Sequence, residues 1–453
     1  MTQPVTKVIE VAEVAVEPAG ARVYEHGWQS WSPTTSYRLG QRPHRPRNDR
    51  NHTLAYRPGV TAPDDAFQGE GLLAIDPGDE GPVHVFAASD GRTEVPSVRA
   101  VAAEGVVRVA ADGPVEHLVD SGGGGIDAAL ARWADTYAAR SEVAPPRPAP
   151  TLWCSWYHYF TAVTETDMVE NLAAMDALDL PIDVVQLDDG YQSEIGDWLF
   201  LSDRFGSLAD LIGRITQQHG RRAGIWVAPF LVGSRSRLAA EHPDWLVGGG
   251  DGPADAGHNW HQDLFALDVS HPHAATYLTE VFTTLAGLGI DLFKIDFVFA
   301  GALDGRRHGD IDGLGAYRMG VELIRSAIGR DAYLLGCGAP ILPSVGLFDA
   351  MRISPDTSPH SEPDDGDPSQ PSARAAEFTG KARAFQHGRF WTNDADCLLA
   401  RPAVQRRQQW AAHVERYGGL RASSDRLADL DGWGLETTRR LLSEPPPRTF
   451  VDA

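Results

Sequence analysis

The segment IDLFKIDF, residues 290–297, puts an ammonium and a carboxylate two positions apart. Alternate side chains of an extended strand share a face, so Lys294 and Asp296 point one way while Phe293, Ile295 and Phe297 point the other, toward packing helices. A neighbouring ammonium favours the ionised carboxylate, the state a nucleophile needs near neutral pH. A second acid, Asp356 in MRISPDTSPH, follows another apolar run, with Arg352 four residues before it. If the two acids face one another across a single opening, one can attack while the other donates and later accepts a proton. Two carboxylates flanking a reacting bond are the minimal apparatus for cleaving a glycosidic bond, about 5–5.5 Å apart for retention of configuration and about 6.5–9.5 Å for inversion. Taken singly, Lys294 and Asp296 also fit a structural ion pair, and Asp356 beside Pro355 also fits a turn. The pairing favours chemistry.

Asp188 and Asp189 in LDDGYQ bring acceptors for sugar hydroxyls to a tight turn. Adjacent carboxylates also suit a hard divalent cation, but no further acid or histidine stands at ligand spacing. HNWH (258–261) and HPH (271–273) match no zinc spacing and read as loop histidines. Charge placement and proton transfer can lower the barrier with no metal or organic cofactor. Twelve tryptophans include Trp28, Trp31, Trp153, Trp156, Trp198, Trp226 and Trp391 near strand ends or motif loops. Aromatic faces stack on the C–H faces of sugars, though most tryptophans in any chain are core.

These residues need a scaffold that converges strand ends. From residue 151 the chain reads strand, helix, strand, and eight apolar runs recur: 152–156, 182–187, 223–229, 290–295, 332–337, 350–353, 389–392 and 417–422. Parallel strands buried on both faces read this way. The spacing predicts a (β/α)8 TIM barrel over 151–445, with a doubly wound open sheet as the alternative. The gap from Gly336 to Arg352 leaves no room for a full crossover helix, and a ninth run, LFALDVS (264–270), is assigned to an inserted loop. Residues 1–120, with short β-branched runs closed by Gly, Pro or Asp, predict an N-terminal β-sandwich. Between them, 121–150 predicts a helix, with Ile126, Leu130, Trp133 and Tyr137 on one face, and a Pro-rich linker at 143–150. In a barrel the active site lies at the C-terminal strand ends. Five of those eight ends carry carboxylates, more than a solvated rim requires.

Composition narrows the partners. The 453 residues hold 40 Lys plus Arg against 62 Asp plus Glu, a net charge of −22 that repels phosphate backbones and anionic lipid, which argues against nucleic acid or membrane. Cys154, Cys337 and Cys397 match neither a disulfide framework nor a thiolate metal cluster, and the N-terminus lacks the pattern of a secretory signal. A cytoplasmic protein is expected.

The motifs WCSWYHYF, LDDGYQSEIGDW, GIWVAPF, FKIDF, GCGAP, MRISPDT, FWTNDADCLL and GGLRASSDRLADL, in this order, resemble the melibiase-type (clan D) retaining α-galactosidases over about residues 151–430, and HGWQSWSP extends the likeness to the N-terminal part. The resemblance implies a hydrolase that releases terminal α-linked galactose by double displacement. It makes Asp296 the nucleophile and Asp356 the acid/base. It gives Asp188, Asp189 and Lys294 to the sugar hydroxyls, with Cys337 and Arg352 lining the site, Trp156 and Trp226 as aromatic walls, and Trp31 lent by the β-domain. Partners would be α-galactosides or related small oligosaccharides, with a homo-oligomer left open. Related sugar specificities (α-N-acetylgalactosaminidase, α-glucoside type), galactosyl transfer, a non-catalytic sugar-binding barrel and a metal-dependent barrel enzyme are the alternatives. The loop 358–376 follows the acid/base and is placed to overhang the mouth or to stand free in solvent.

Overall fold

The computed structural model describes residues 8–46 and 52–453. Eight strands form one parallel sheet: β1 (Leu152–Cys154), β2 (Val184–Leu187), β3 (Arg222–Val227), β4 (Ile290–Ile295), β5 (Tyr333–Gly336), β6 (Ala350–Arg352), β7 (Thr392–Asp394) and β8 (Ala422–Ser423). Six of the eight apolar runs match one of them, whereas the runs 389–392 and 417–422 meet β7 and β8 only at Thr392 and Ala422, since pairing there begins at the C-terminal end of each run. The sheet runs β7-β6-β5-β4-β3-β2-β1-β8. Backbone N–H groups of Gly419 and Leu420 donate to the Asn393 carbonyl at 2.8 and 2.9 Å, bridging β7 to the segment entering β8, so the sheet curls round on itself. The crossover between β5 and β6 is a single 3-10 turn, Leu342–Ser344, as the short spacing requires.

Alternation along β4 positions the chemistry. Phe293 faces outward onto Phe282 of a helix, Pro272–Gly287, while Lys294 lies in register with Trp226 on β3. Phe297 breaks the expected pattern. It lies beyond the strand with φ 50° and ψ 28°, a left-handed turn that ends the period-2 rule, and its ring enters the cavity described below instead of facing the helices. The run 264–270 is also not a plain loop. Its first part is a strand, Gln262–Ala266, pairing with Leu231–Gly233 and Asp255–Asn259 in a three-stranded antiparallel sheet inserted between β3 and β4.

Ahead of the barrel, two antiparallel sheets face each other. One has the order Ile9–Ala15, Val106–Ala111, Ser97–Ala103, Phe67–Glu70, and the other Thr35–Arg38, Arg22–Glu25, Leu72–Asp76, Val83–Ala88, Val115–Asp120. Val23, Leu73, Ile75 and Phe86 fill the space between the sheets. Their strand neighbours Tyr24, Leu72, Ala74 and Val85 point the other way and join one continuous apolar core with the helix Gly125–Arg140 and the barrel. That helix is a wedge: Trp133 meets Phe385 and Phe390 edge-on at 6.2 and 6.0 Å. The Pro-rich stretch after it is lashed down as well, since Arg147 pairs with Asp349 at 2.8 Å and donates to the carbonyls of Arg330, Asp331 and Ala332. Among the described residues no helix is long and apolar enough to cross a membrane.

Candidate active site

A cavity of about 810 Å³ opens at the C-terminal ends of the strands. Its wall includes Trp31, Trp156, Asp188, Asp189, Trp226, Lys294, Asp296 and Asp356, eight of the ten residues singled out from sequence. Cys337 and Arg352 do not reach its surface. Cys337 is fully buried at the end of β5 and Arg352 is buried beneath Asp356. Burial pushes the Cys337 thiol far above its usual range, with the Asp296 charge adding to the effect.

Asp296 is held from three directions. Trp226 Nε1 donates to Oδ2 at 3.0 Å, the Phe297 N–H donates to Oδ1 at 2.8 Å, and Lys294 Nζ stands 4.0 Å away. Lys294 makes its closer contact with Asp188, at 2.9 Å. Burial acts to lower the Lys294 pKa, but the carboxylates of Asp188 and Asp296 outweigh it and hold the ammonium charged. Asp188 also accepts from Gln186 Nε2 at 2.7 Å and from the Cys154 thiol at 3.3 Å. Asp189 turns away from its neighbour and accepts from Gln192 Nε2 at 2.6 Å and Trp260 Nε1 at 2.7 Å. Burial raises the Asp189 carboxyl to about 6 against those two donors, with repulsion from Asp188 and Asp296 contributing.

Asp356 projects into the cavity with its side chain 28% exposed, the outermost of the four acids. Burial raises its pKa to about 7. The Arg352 guanidinium opposes that rise, and the negative fields of Asp396 and Asp296 support it. Arg352 is a hub: it reaches Asp356 at 2.7 Å, Asp394 at 3.0 Å and Asp396 at 2.8 Å. Asp396 in turn accepts from the Tyr157 hydroxyl and from the Thr357 N–H. The remaining strand-end acid, Asp425, is bound to Arg401 at 2.7 Å and takes no part in the cavity.

The tryptophans separate cleanly. Trp153, Trp198 and Trp391 are core, and Trp28 is buried beneath the Arg57 guanidinium. Trp31 reaches the cavity because the loop bearing it is zipped to the segment after β5: Ser30 N–H donates to the Ala339 carbonyl and Ile341 N–H to that of Trp28. The Trp31 ring lies 4.8 Å from Phe297 and above Gly338, where a Cβ would come within 2.9 Å of it. Below this loop the buried Arg383 donates to the carbonyls of Ser30, Gln29 and Gly27 and to Ile353, next to Arg352 on β6. Burial lowers its pKa to about 10, which leaves it protonated. One side chain thus fixes the sandwich loop to the strand that presents Asp356.

Trp260 is one of the wall residues that the sequence reading passed over. It forms the tip of the hairpin Asp255–Asn259 to Gln262–Ala266, where Trp260 (φ 50°) and His261 (φ 56°) both adopt the left-handed conformation of a type I′ turn. Such turns favour Asn-Gly, and a Trp-His tip persists because both ends of the residue are engaged. Its N–H meets the Asn259 side chain, and its ring packs 5.1 Å from Phe297 and donates to Asp189. The loop 358–376 overhangs the cavity, with Ser369, Gln370 and Pro371 in its wall. Among the described residues no group of three or more His, Cys, Asp or Glu is placed to hold a metal ion.

Comparison with known proteins agrees with this arrangement. Residues 119–318 match the Melibiase family model, a span that includes Asp188, Asp189, Lys294 and Asp296 and ends before Asp356. TtGalA, an α-galactosidase from Thermus thermophilus, superposes with a TM-score of 0.79 at 28% identity, covering 98% of this chain and 91% of that one. The α-galactosidase AgaA from Geobacillus stearothermophilus shares the fold, with a TM-score of 0.64 at 14% identity over 95% of this chain and 62% of its own. The bifunctional α-galactosidase/sucrose kinase AgaSK of Mediterraneibacter gnavus is 38% identical over 109 residues, 22% of this chain and only 11% of that relative. With the fold and the carboxylate arrangement, these matches lead to one conclusion: the chain is similar to the melibiase-type α-galactosidases, in sequence over residues 119–318 and in fold over nearly its whole length.

Proposed function

We propose that the chain is a retaining, exo-acting α-galactosidase. The observation that carries this reading is the unequal environment of two acids in one cavity: Asp296 accepts an indole N–H and a backbone N–H beside an ammonium, whereas Asp356 is raised to about 7. Environments that push paired carboxyls apart assign the base or nucleophile and the acid. An Asp296 oxygen attacks the anomeric carbon as the bond to the departing oxygen breaks, and Asp356 gives that oxygen its proton. Asp356 then takes a proton from water, whose oxygen displaces Asp296 from the same carbon and frees the sugar with its configuration retained. Asp188, Asp189 and Lys294 would engage the galactose hydroxyls, Trp31, Trp156 and Trp226 its apolar faces, and Arg352 would steady Asp356. The Thermus neighbour is described with p-nitrophenyl α-D-galactopyranoside and with stachyose, and small α-galactosides are proposed as the substrates here. Three buried free thiols suit a reducing, cytoplasmic setting.

The test is hydrolysis of p-nitrophenyl α-galactoside followed by proton NMR. The α-anomer of galactose is expected first, mutarotating later to the mixture. First appearance of the β-anomer would refute retention, and faster release from another nitrophenyl α-glycoside would refute the sugar.

Trp260 supplies a second check. Trp260→Phe keeps the ring but removes the donor to Asp189, a hydrogen bond to a charged group worth ~1.5–3 kcal/mol, so KM for the galactoside should rise about tenfold or more. The kcat should change less, because Asp296 and Asp356 are untouched. A KM within twofold of wild type would remove Trp260 from the sugar site.

A further inference from the structure

The cavity mouth carries a residue that the glycosyl chemistry does not use. Among the described residues seven large apolar side chains are exposed, and of these Phe160 alone lines the cavity. It is 43% exposed, with φ 48° and ψ −143°, a backbone region bulky residues avoid. Its surroundings enforce this conformation. The Phe160 N–H closes onto the Trp156 carbonyl, and Arg204 donates to the carbonyls of Thr161, Val163 and Gly190 at 2.8, 3.1 and 2.7 Å. Gly190, at φ 121°, lies so near that a Cβ there would stand 2.7 Å from the Thr161 carbonyl oxygen. The strained segment is therefore clamped against the turn that bears Asp188 and Asp189.

The clamp holds the Phe160 ring edge-to-face with Trp156, centroids 5.2 Å apart, so the aromatic wall continues outward from the acids to the mouth. The cavity, about 810 Å³, lies in the upper part of the ~300–1,000 Å³ range for small-molecule sites and exceeds what one pyranose fills. Ser369, Gln370, Arg235 and His261 offer polar groups elsewhere on its wall.

We propose that Phe160, backed by Trp156, is a stacking platform for the leaving group: the second pyranose ring of an α-galactosyl oligosaccharide, seated on its C–H face. The proposal rests on the α-galactosidase reading and adds a residue that distinguishes substrates by their leaving group. Phe160 touches neither Asp296 nor Asp356, so its contribution depends on what galactose is attached to.

The test compares galactosyl-α-1,6-glucose with methyl α-galactoside, which lacks the second ring. In Phe160→Ala the disaccharide should lose about five- to tenfold in kcat/KM, mostly through KM, while the methyl glycoside stays within twofold. Phe160→Tyr should restore the disaccharide. Phe160→Gly, which tolerates the local backbone, should show the same selective loss with a thermal midpoint at or above wild type. Equal losses on both substrates, or an unchanged ratio in the Ala and Gly variants, would overturn the platform alone. Wild-type protein that cleaves neither substrate would overturn the α-galactosidase reading and this proposal with it.

Discussion

Asp296→Gly is expected to lower kcat on aryl α-galactosides by about four orders of magnitude or more, and added azide should restore part of the lost rate. Removing the carboxyl leaves an open space where the proposed reaction brings the anomeric carbon, bounded by Trp226 Nε1, the Phe297 N–H and Lys294. A small anion entering there meets donors and a positive charge already in place. Attack from that side inverts an α-galactoside, so the expected product is β-galactosyl azide. The glycine variant is preferable to Asp296→Asn. Both carboxylate oxygens accept N–H donors, so an amide would turn its NH2 against one of them and disturb the site for reasons unrelated to nucleophilicity. Galactose protection of the thermal midpoint in Asp296→Gly checks that the pocket survives. Residual activity above a tenth of wild type, or α-galactosyl azide as the product, would move the nucleophile elsewhere.

The barrel was legible because of how it is buried. Strands covered on both faces by helices and barrel interior cannot alternate, so β2, β3 and β5 stand out as VVQL, RAGIWV and YLLG. The acids were legible because they follow these runs, where strand ends converge. The inserted sheet was not. One of its strands is apolar, QDLFA, but the partner DAGHN is polar because its tip serves the cavity, and no Gly marks the turn between them. Trp260 therefore looked like part of a histidine-bearing loop. Phe297 escaped for a related reason: its left-handed φ is imposed by packing between Trp31 and Trp260 and leaves no trace in residue type.

Arg352 and Arg383 show a second limit. The Arg352 pairing with Asp356, four residues on, follows from spacing, but its further anchorage to Asp394 and Asp396 joins β6 to β7, which pattern alone does not reveal. Among the described residues Arg383 pairs with no carboxylate; its partners are backbone carbonyls of Gly27, Gln29, Ser30 and Ile353. Reading by side-chain type looks for complementary charges, and a cation satisfied by main-chain oxygens is invisible to it. These two arginines nevertheless fix the relative positions of Asp356 and the Trp31 loop.

The pH dependence of the first chemical step follows from Asp356. In the proposed reaction its acid form donates to the leaving oxygen, and its pKa is raised to about 7, chiefly by burial, so the free enzyme should lose its proton donor as pH rises through that value. The kcat/KM for a substrate with a poor leaving group, such as a disaccharide, should therefore fall above about pH 7. Asp356→Ala should abolish that alkaline limb and cost about 10²–10⁴-fold, the usual yield of a positioned acid. With a dinitrophenyl leaving group, which departs without a proton, the loss in this step should be far smaller. Azide should then accelerate release of the glycosyl intermediate, giving α-galactosyl azide, because the open space now lies on the opposite face. Asp189 must be distinguished, since burial raises it to about 6. A limb near pH 6 that persists in Asp356→Ala belongs to Asp189, and an alkaline limb near 7 that persists would show that Asp356 is not the acid. Arg352 retains Asp394 and Asp396 in this variant, so the floor of the site should keep its charge balance while the proton donor alone is removed.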